Sequence, residues 1–145
     1  MTLYLDTSSL VKLYVTEFGS EMVRQLTEEA SVVATSVVAY AETRAALARL
    51  RRDGALTAAR LTAVKREFEE QWPAYLTLDA SDSLCRTAGQ LAEQYRLRGC
   101  DSIHLATFGE VFRCSGRDTR FSSFDDRLNH AARQMMRTLE RRRGE

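Results

Sequence analysis

Four carboxylates occupy positions at which acids could carry out chemistry: Asp6, Glu42, Asp101 and Asp125. Carboxylates that lie close together repel one another and raise each other's pKa, so a cluster of them suits a site where a divalent cation supplies the opposite charge. Oxygen ligands alone favour Mg²⁺ or Mn²⁺ over Zn²⁺. Such a site activates water and holds the attacking and leaving oxygens of a phosphodiester. If the four acids meet, the sequence predicts metal-dependent phosphodiester hydrolysis.

Two of the acids also have a simpler structural explanation, and the other two are harder to dismiss. Asp101 follows a glycine turn and could be the N-cap of a helix. Asp125 could be a helix cap or a surface acid, since two further charged residues adjoin it. Glu42 lies in an otherwise apolar helical stretch, where a glutamate usually has a partner, and Asp6 ends a buried strand. The interpretation as one site therefore depends on the set of four.

Other polar side chains beside the acids are candidates for supporting roles. Ser8 and Ser123 could orient metal ligands or bound water, or could act only as caps and turn residues. His104 follows Asp101 by three residues, about one helical turn. Because apolar residues surround it and no second histidine follows four residues later, we interpret His104 as a packed structural histidine.

Short apolar runs alternate with segments of helical periodicity along the chain. The predicted strands are residues 2–5, 31–35, 75–78 and 120–123. The predicted helices are residues 20–30, 36–52, 57–71, 81–97, 101–114 and 124–132. Ser36 is the expected N-cap of the second helix, and residues 36–72 are expected to form a helical hairpin that stands off the sheet. Residues 135–139 fit an edge strand and an extension of the last helix equally well.

This alternation predicts a three-layer α/β/α domain with a mainly parallel central sheet. Acids that follow strands then lie at the carboxyl edge of the sheet, where open α/β sheets bind ligands. The length of 145 residues suits a single domain over residues 1–145, with no linker or internal repeat. No signal peptide or membrane-spanning run is apparent, so a cytoplasmic location is expected.

The three cysteines and the cations give weaker indications. Cys85, Cys100 and Cys114 have no metal-binding spacing, and we expect small buried or half-buried thiols in a reducing cytosol. The formal net charge is +1, which does not indicate nucleic-acid binding by itself. A basic stripe within residues 44–52 could follow a nucleic-acid backbone, contact an acidic partner segment or simply face solvent. Its members are Arg44, Arg49, Arg51 and Arg52.

Four motifs together resemble the PIN-domain ribonucleases, specifically the VapC-type toxins of bacterial toxin–antitoxin pairs. The motifs are Leu5–Tyr14 (LDTSSLVKLY), Tyr40-Ala41-Glu42, Asp101–Thr107 (DSIHLAT) and Phe121–Leu128 (FSSFDDRL). The resemblance implies a compact α/β/α domain and a Mg²⁺- or Mn²⁺-dependent endoribonuclease.

The resemblance also assigns residues and partners. It implies that Asp6, Glu42, Asp101 and Asp125 form the acidic quartet. Asp6 and Asp101 would be direct metal ligands, and Glu42 and Asp125 would act directly or through water. It further implies an RNA substrate, a homodimer, and an antitoxin whose tail blocks the pocket.

Three other functions fit parts of this sequence less well. A phosphatase of the HAD type also places an aspartate after its first strand, but it needs a second aspartate two residues later, where this chain has Ser8. A flap-type DNA nuclease usually has more acids and an added DNA-binding helical element. A catalytically inactive domain that only binds RNA or protein is disfavoured because all four acids are present.

Overall fold

A four-stranded parallel sheet forms the centre of the computed structural model, which describes residues 1–144. The strands are β1 (Thr2–Leu5), β2 (Val32–Ser36), β3 (Leu76–Leu78) and β4 (Thr119–Ser122). Their order across the sheet is β3-β2-β1-β4, and every neighbouring pair is parallel. The first strand is therefore central, and its carboxyl end lies between those of β2 and β4.

Helices cover both faces of this sheet. They are α1 (Thr7–Leu10), α2 (Ser20–Glu29), α3 (Val38–Arg52), α4 (Ala58–Gln71), α5 (Asp82–Tyr95), α6 (Gly99–Ser115) and α7 (Asp126–Gly144). Short 3₁₀ turns occur at Val11–Leu13, Trp72–Ala74 and Gly116–Asp118.

The buried side chains form two clusters, one on each face of the sheet, and the alternation of side chains along β1 explains why. Tyr4 points to one face and packs with Leu105 and Phe108 of α6. Leu3 and Leu5 point to the other face, in a cluster that includes residues of α1 to α4. Successive strand residues face opposite sides, so one strand contributes to both clusters. These observations confirm the predicted three-layer α/β/α architecture with a parallel sheet.

The predicted helical hairpin corresponds to α3 and α4. Leu47 of α3 and Phe68 of α4 are fully buried in the same cluster as Leu5. The predicted N-cap Ser36 lies one residue before the cap position. It is the last residue of β2, and its hydroxyl accepts a hydrogen bond from the Val38 N–H at 3.3 Å, so its side chain still caps the first turn of α3.

Residues 135–139, which the sequence left between strand and helix, belong to α7. The buried residues Leu128, Met135 and Leu139 of α7 recur at helical spacing and pack in the same cluster as Phe112. Within residues 1–144 the sheet therefore consists of the four strands named above.

The cysteines and the polarity of the helices can also be compared with what the composition predicted. The expectation of buried or half-buried thiols is wrong, because Cys85, Cys100 and Cys114 are all exposed. In the part of the chain that the structure describes, every helix is too short or too polar to cross a membrane.

Candidate active site

Asp6 follows β1 directly and is the N-cap of α1. The residue is 4% exposed. Oδ1 accepts hydrogen bonds from the backbone N–H of Ser9 at 3.0 Å and from Ser8 Oγ at 2.6 Å. Oδ2 accepts one from Ser123 Oγ at 2.5 Å. Burial raises the pKa of Asp6, and the opposing hydrogen bonds from Ser123 and Ser8 do not fully offset it.

No lysine or arginine among residues 1–144 forms an ion pair with Asp6. A buried carboxylate usually has a cationic partner or a metal ion, because the charged form is poorly solvated. Asp6 instead has three neutral donors, which fix its orientation without supplying positive charge.

The end of β4 brings Ser123 and Asp125 to Asp6. The Asp6 N–H donates to the carbonyl of Ser122 at 3.2 Å, which extends the parallel pairing of the two strands. Ser123 Oγ, besides donating to Asp6, accepts from the Asp125 N–H at 3.0 Å. Asp125 Oδ1 accepts from the Leu128 N–H at 2.8 Å, so this oxygen caps α7. The role of a helix cap therefore accounts for one of the two carboxylate oxygens of Asp125.

Glu42 lies on α3, and residues from two other elements hold its carboxylate. Oε1 accepts from Thr7 Oγ1 at 2.8 Å and is 2.8 Å from Nε2 of His104 on α6. Burial alone would raise the pKa of Glu42. The hydrogen bond and charge of His104, with the Thr7 hydrogen bond, outweigh burial and lower that pKa. Glu42 is thus held as a carboxylate, and the sequence indicated neither partner.

His104 has a larger part than the sequence suggested. It is 2% exposed, in agreement with a packed histidine. Its Nδ1 is 2.9 Å from the hydroxyl of Tyr4, which is also fully buried. A carboxylate oxygen only accepts hydrogen bonds, so Nε2 must carry a hydrogen toward Glu42. The sequence offered one indication that His104 lies near the acids, because it follows Asp101 by about one helical turn.

Asp101 is in the first turn of α6 but is not its N-cap, because the helix begins at Gly99 and Arg98 occupies the cap position. The Nε of Arg98 lies 3.3 Å from Asp101 Oδ2. Asp101 and Asp125 line a common cavity of about 350 Å³, together with Arg98, Asp126 and Arg127. The side chains of Asp101 and Asp125 therefore face the same space.

Hydroxyl groups link three of the four acids, and the fourth, Asp101, shares only the cavity with Asp125. Thr7 follows Asp6 in the chain and bonds to Glu42, and Ser123 bonds to both Asp6 and Asp125. Within residues 1–144, no three His, Cys, Asp or Glu side chains are close enough to form a complete metal site. The donor chemistry still fits Mg²⁺, which prefers carboxylate oxygens, keeps several of its waters and often binds only one or two carboxylates.

Comparison with known proteins identifies the family of this chain. The model of the PIN domain family matches residues 3–134. Ribonuclease VapC45 and ribonuclease VapC49, from two strains of Mycobacterium tuberculosis, are each 38% identical to this chain over 104 residues, covering 72% of the chain and 72% of each relative.

Two solved structures are similar to this chain in fold. FitAcB from Neisseria gonorrhoeae gives a TM-score of 0.66 at 17% identity, covering 90% of this chain and 93% of that one. VapC20 of Mycobacterium tuberculosis is described as a sarcin-ricin loop cleaving toxin. It gives a TM-score of 0.64 at 18% identity, covering 89% of this chain and 94% of that one. The family model spans most of the sequence, and the structure has a parallel sheet with acids at its carboxyl edge. This chain therefore belongs to the PIN domain family.

Proposed function

We propose that this chain is a divalent-metal-dependent endoribonuclease and the toxin of a type II toxin–antitoxin pair. The observation that carries the proposal is the buried Asp6 carboxylate, which stands at the carboxyl edge of a PIN-domain sheet without a cationic partner among the described residues. The two curated relatives are both named ribonucleases, which supports RNA as the substrate.

Mg²⁺ is the proposed cofactor, and Mn²⁺ can substitute. We assign Asp6 and Asp101 as direct ligands, with Glu42 and Asp125 acting directly or through water. When bound, the ion supplies a Lewis acid for the phosphodiester and lowers the pKa of water. Ser8 and Ser123 are auxiliary residues, because each donates a hydrogen bond to an oxygen of Asp6 and so fixes the carboxylate.

Glu42 is the proposed acceptor of the proton from the attacking water. The hydrogen bonds of Thr7 and His104 both go to Oε1, so we assign proton uptake to Oε2. Because these two bonds favour the charged carboxylate, Glu42 is ionised and ready to accept a proton at neutral pH. In-line attack by this water would leave a 5′-phosphate on the product.

The proposed partners are a cognate antitoxin that blocks the pocket and a second copy of this chain, in the cytoplasm. Two of the four arginines of the basic stripe lie beside carboxylates. Arg44 pairs with Glu69 at 2.7 Å, and Arg49 lies 3.7 Å from Asp53. Arg51 and Arg52 are exposed. We propose that Arg51 and Arg52 contact RNA or the antitoxin.

The proposal predicts that cleavage needs Asp101 and a divalent ion. The Asp101→Asn chain is expected to cut single-stranded RNA at least about a hundredfold more slowly than the unmodified chain, because the ion loses a charged ligand. EDTA should stop cleavage and Mg²⁺ should restore it, as measured with end-labelled RNA. Glu110→Gln, which changes an exposed acid of the same helix, is the control and should cut normally. Full activity in Asp101→Asn, or cleavage unaffected by EDTA, would contradict the proposal.

A second prediction concerns His104. His104→Ala removes the hydrogen bond from Nε2 to Glu42, and we expect cleavage to fall about 10–100-fold, as is typical for residues that orient a catalytic group. The kcat should fall more than KM rises, because substrate contacts remain. His104→Gln, which keeps a side-chain N–H donor, should recover part of the activity. An unchanged kcat in His104→Ala would remove His104 from the site.

A third prediction concerns pH. Ser123→Ala removes a donor to Oδ2 of Asp6, and a carboxylate that loses a donor becomes easier to protonate, so the pKa of Asp6 rises further. We expect the acidic limb of the rate–pH profile to move to higher pH, with less change above neutrality. The profile should be measured at limiting Mn²⁺, with Ser123→Thr as the control that keeps the hydroxyl. A shift to lower pH would contradict this role of Ser123.

A further inference from the structure

A second cavity, of about 320 Å³, lies beside the carboxylates. Its lining includes Thr7, Ser8, Lys12, Ala46, Arg49 and Phe124. We propose that this cavity is a subsite for the nucleoside next to the scissile phosphate of a single-stranded RNA. The inference rests on the proposed function and adds a place where the substrate sequence is read.

The cavity shares a wall with the catalytic acids. Thr7 and Ser8 line it, and the same two hydroxyls bond to the acids: Thr7 to Glu42 at 2.8 Å and Ser8 to Asp6 at 2.6 Å. A phosphate held at Asp6 is therefore only one side chain away from the cavity. A nucleotide that adjoins this phosphate on the side of Thr7 and Ser8 lies within reach of the cavity.

The charges of the cavity suit a nucleoside better than a phosphate. Lys12 is 9% exposed, and its Nζ lies 3.0 Å from Glu17 Oε1 and 4.3 Å from the centre of the Phe124 ring. Arg49 has its own acid, Asp53, at 3.7 Å. Each cation is thus matched by a carboxylate that would repel a phosphate, whereas the edges of nucleobases carry both donors and acceptors.

The apolar part of the lining completes the match. Val11, Ala46 and Leu50 add aliphatic surface next to the ring of Phe124. Proteins that recognise single-stranded RNA place unstacked bases against apolar or aromatic surface and bond to their edges. A volume of about 320 Å³ is at the lower end of ligand pockets and leaves room for one nucleoside, not for a duplex.

The test fills the cavity without changing the carboxylates. Ala46→Trp on α3 places an indole in the cavity, and Ala63→Trp, at an exposed position of α4, is the control. Each chain is assayed on a pool of single-stranded RNA randomised on both sides of the cut, and Mn²⁺ binding is measured by calorimetry. We expect Ala46→Trp to lose at least tenfold in kcat/KM and to lose base preference at one position beside the cut, with Mn²⁺ affinity unchanged. Ala63→Trp should match the unmodified chain.

A second variant covers the case in which Ala46→Trp does not fold. Arg49→Ala changes an exposed side chain at the rim, and we expect KM to rise at least threefold with little change in kcat. If the unmodified chain cuts RNA and both variants keep its rate and base preference, the subsite is overturned and the proposed function stands. If the variants alter only the capture of a protein partner, the cavity belongs to that partner and the subsite is also overturned. If the unmodified chain cuts no RNA, the proposed function itself fails.

Discussion

Replacing Asp6 by asparagine is expected to abolish RNA cleavage and, at the same time, to stabilise the metal-free protein at pH 7. Burial raises the pKa of Asp6, so folding penalises its charged form. For an acid whose pKa is higher in the folded state, stability rises as the pH falls through that pKa and is reduced at neutral pH. Asparagine is uncharged and can still accept from Ser8 and Ser9. We expect a gain of about 1 kcal/mol in the free energy of unfolding and a loss of cleavage of at least about a hundredfold.

Urea unfolding in EDTA, at pH 5 and pH 7, measures the stability effect of Asp6→Asn. The advantage of the variant should be larger at pH 7, because more of the wild-type carboxyl is then charged. Asp79→Asn, at an exposed position, is the matched control and should change neither stability nor cleavage. A variant that is less stable than the wild type, or that still cuts RNA, would contradict the role given to Asp6.

Phe68→Ala is expected to lower the free energy of unfolding by about 3–5 kcal/mol, the usual cost of removing a buried phenylalanine from a core. Phe68 is fully buried on α4, with its ring centre 5.2 Å from that of Tyr14, 5.5 Å from that of Tyr40 and 5.4 Å from that of Trp72. These contacts join the hairpin to α1 and β1 through the same cluster. We therefore expect one cooperative transition for the whole chain, as a single domain over residues 1–145 requires.

Chemical denaturation followed by both fluorescence and circular dichroism tests this expectation. Phe18→Ala is the control, because Phe18 is 89% exposed and its removal should change stability by less than about 0.5 kcal/mol. Two separate transitions, or a loss below about 1 kcal/mol in Phe68→Ala, would show that the hairpin does not belong to the main core.

The sequence predicted the sheet and the edge on which Asp6 stands, because both follow from local patterns. A short apolar run that ends on an acid indicates a buried strand, and parallel strands bring their carboxyl ends to one edge. The same argument placed Ser123 and Asp125 near Asp6, and the hydrogen bond between Ser123 and Asp6 shows that contact. The bounds of the other long helices were close because helical periodicity is a local signal, but the last helix was predicted to end at residue 132 and continues to Gly144.

The partners of His104 could not be predicted from the sequence. Glu42 and His104 are 62 residues apart, and their contact depends on how α3 and α6 approach the same end of the sheet. The burial of Lys12 is a similar case, because Glu17 and Phe124 enclose its ammonium group from different parts of the chain. The exposure of the cysteines also depends on tertiary packing. The expectation that they are buried came from the usual behaviour of cysteine, and it was wrong.

The proposed function requires a divalent ion that both Asp6 and Asp101 hold. A crystal structure of the chain with Mn²⁺, using anomalous diffraction to locate the ion, tests it most directly. We predict a Mn²⁺ ion with an oxygen of Asp6 and an oxygen of Asp101 each at about 2.1 Å, and no ion at this place in Asp6→Asn. A Mn²⁺ ion that touches neither carboxylate, in a chain that cuts RNA in solution, would contradict the claim.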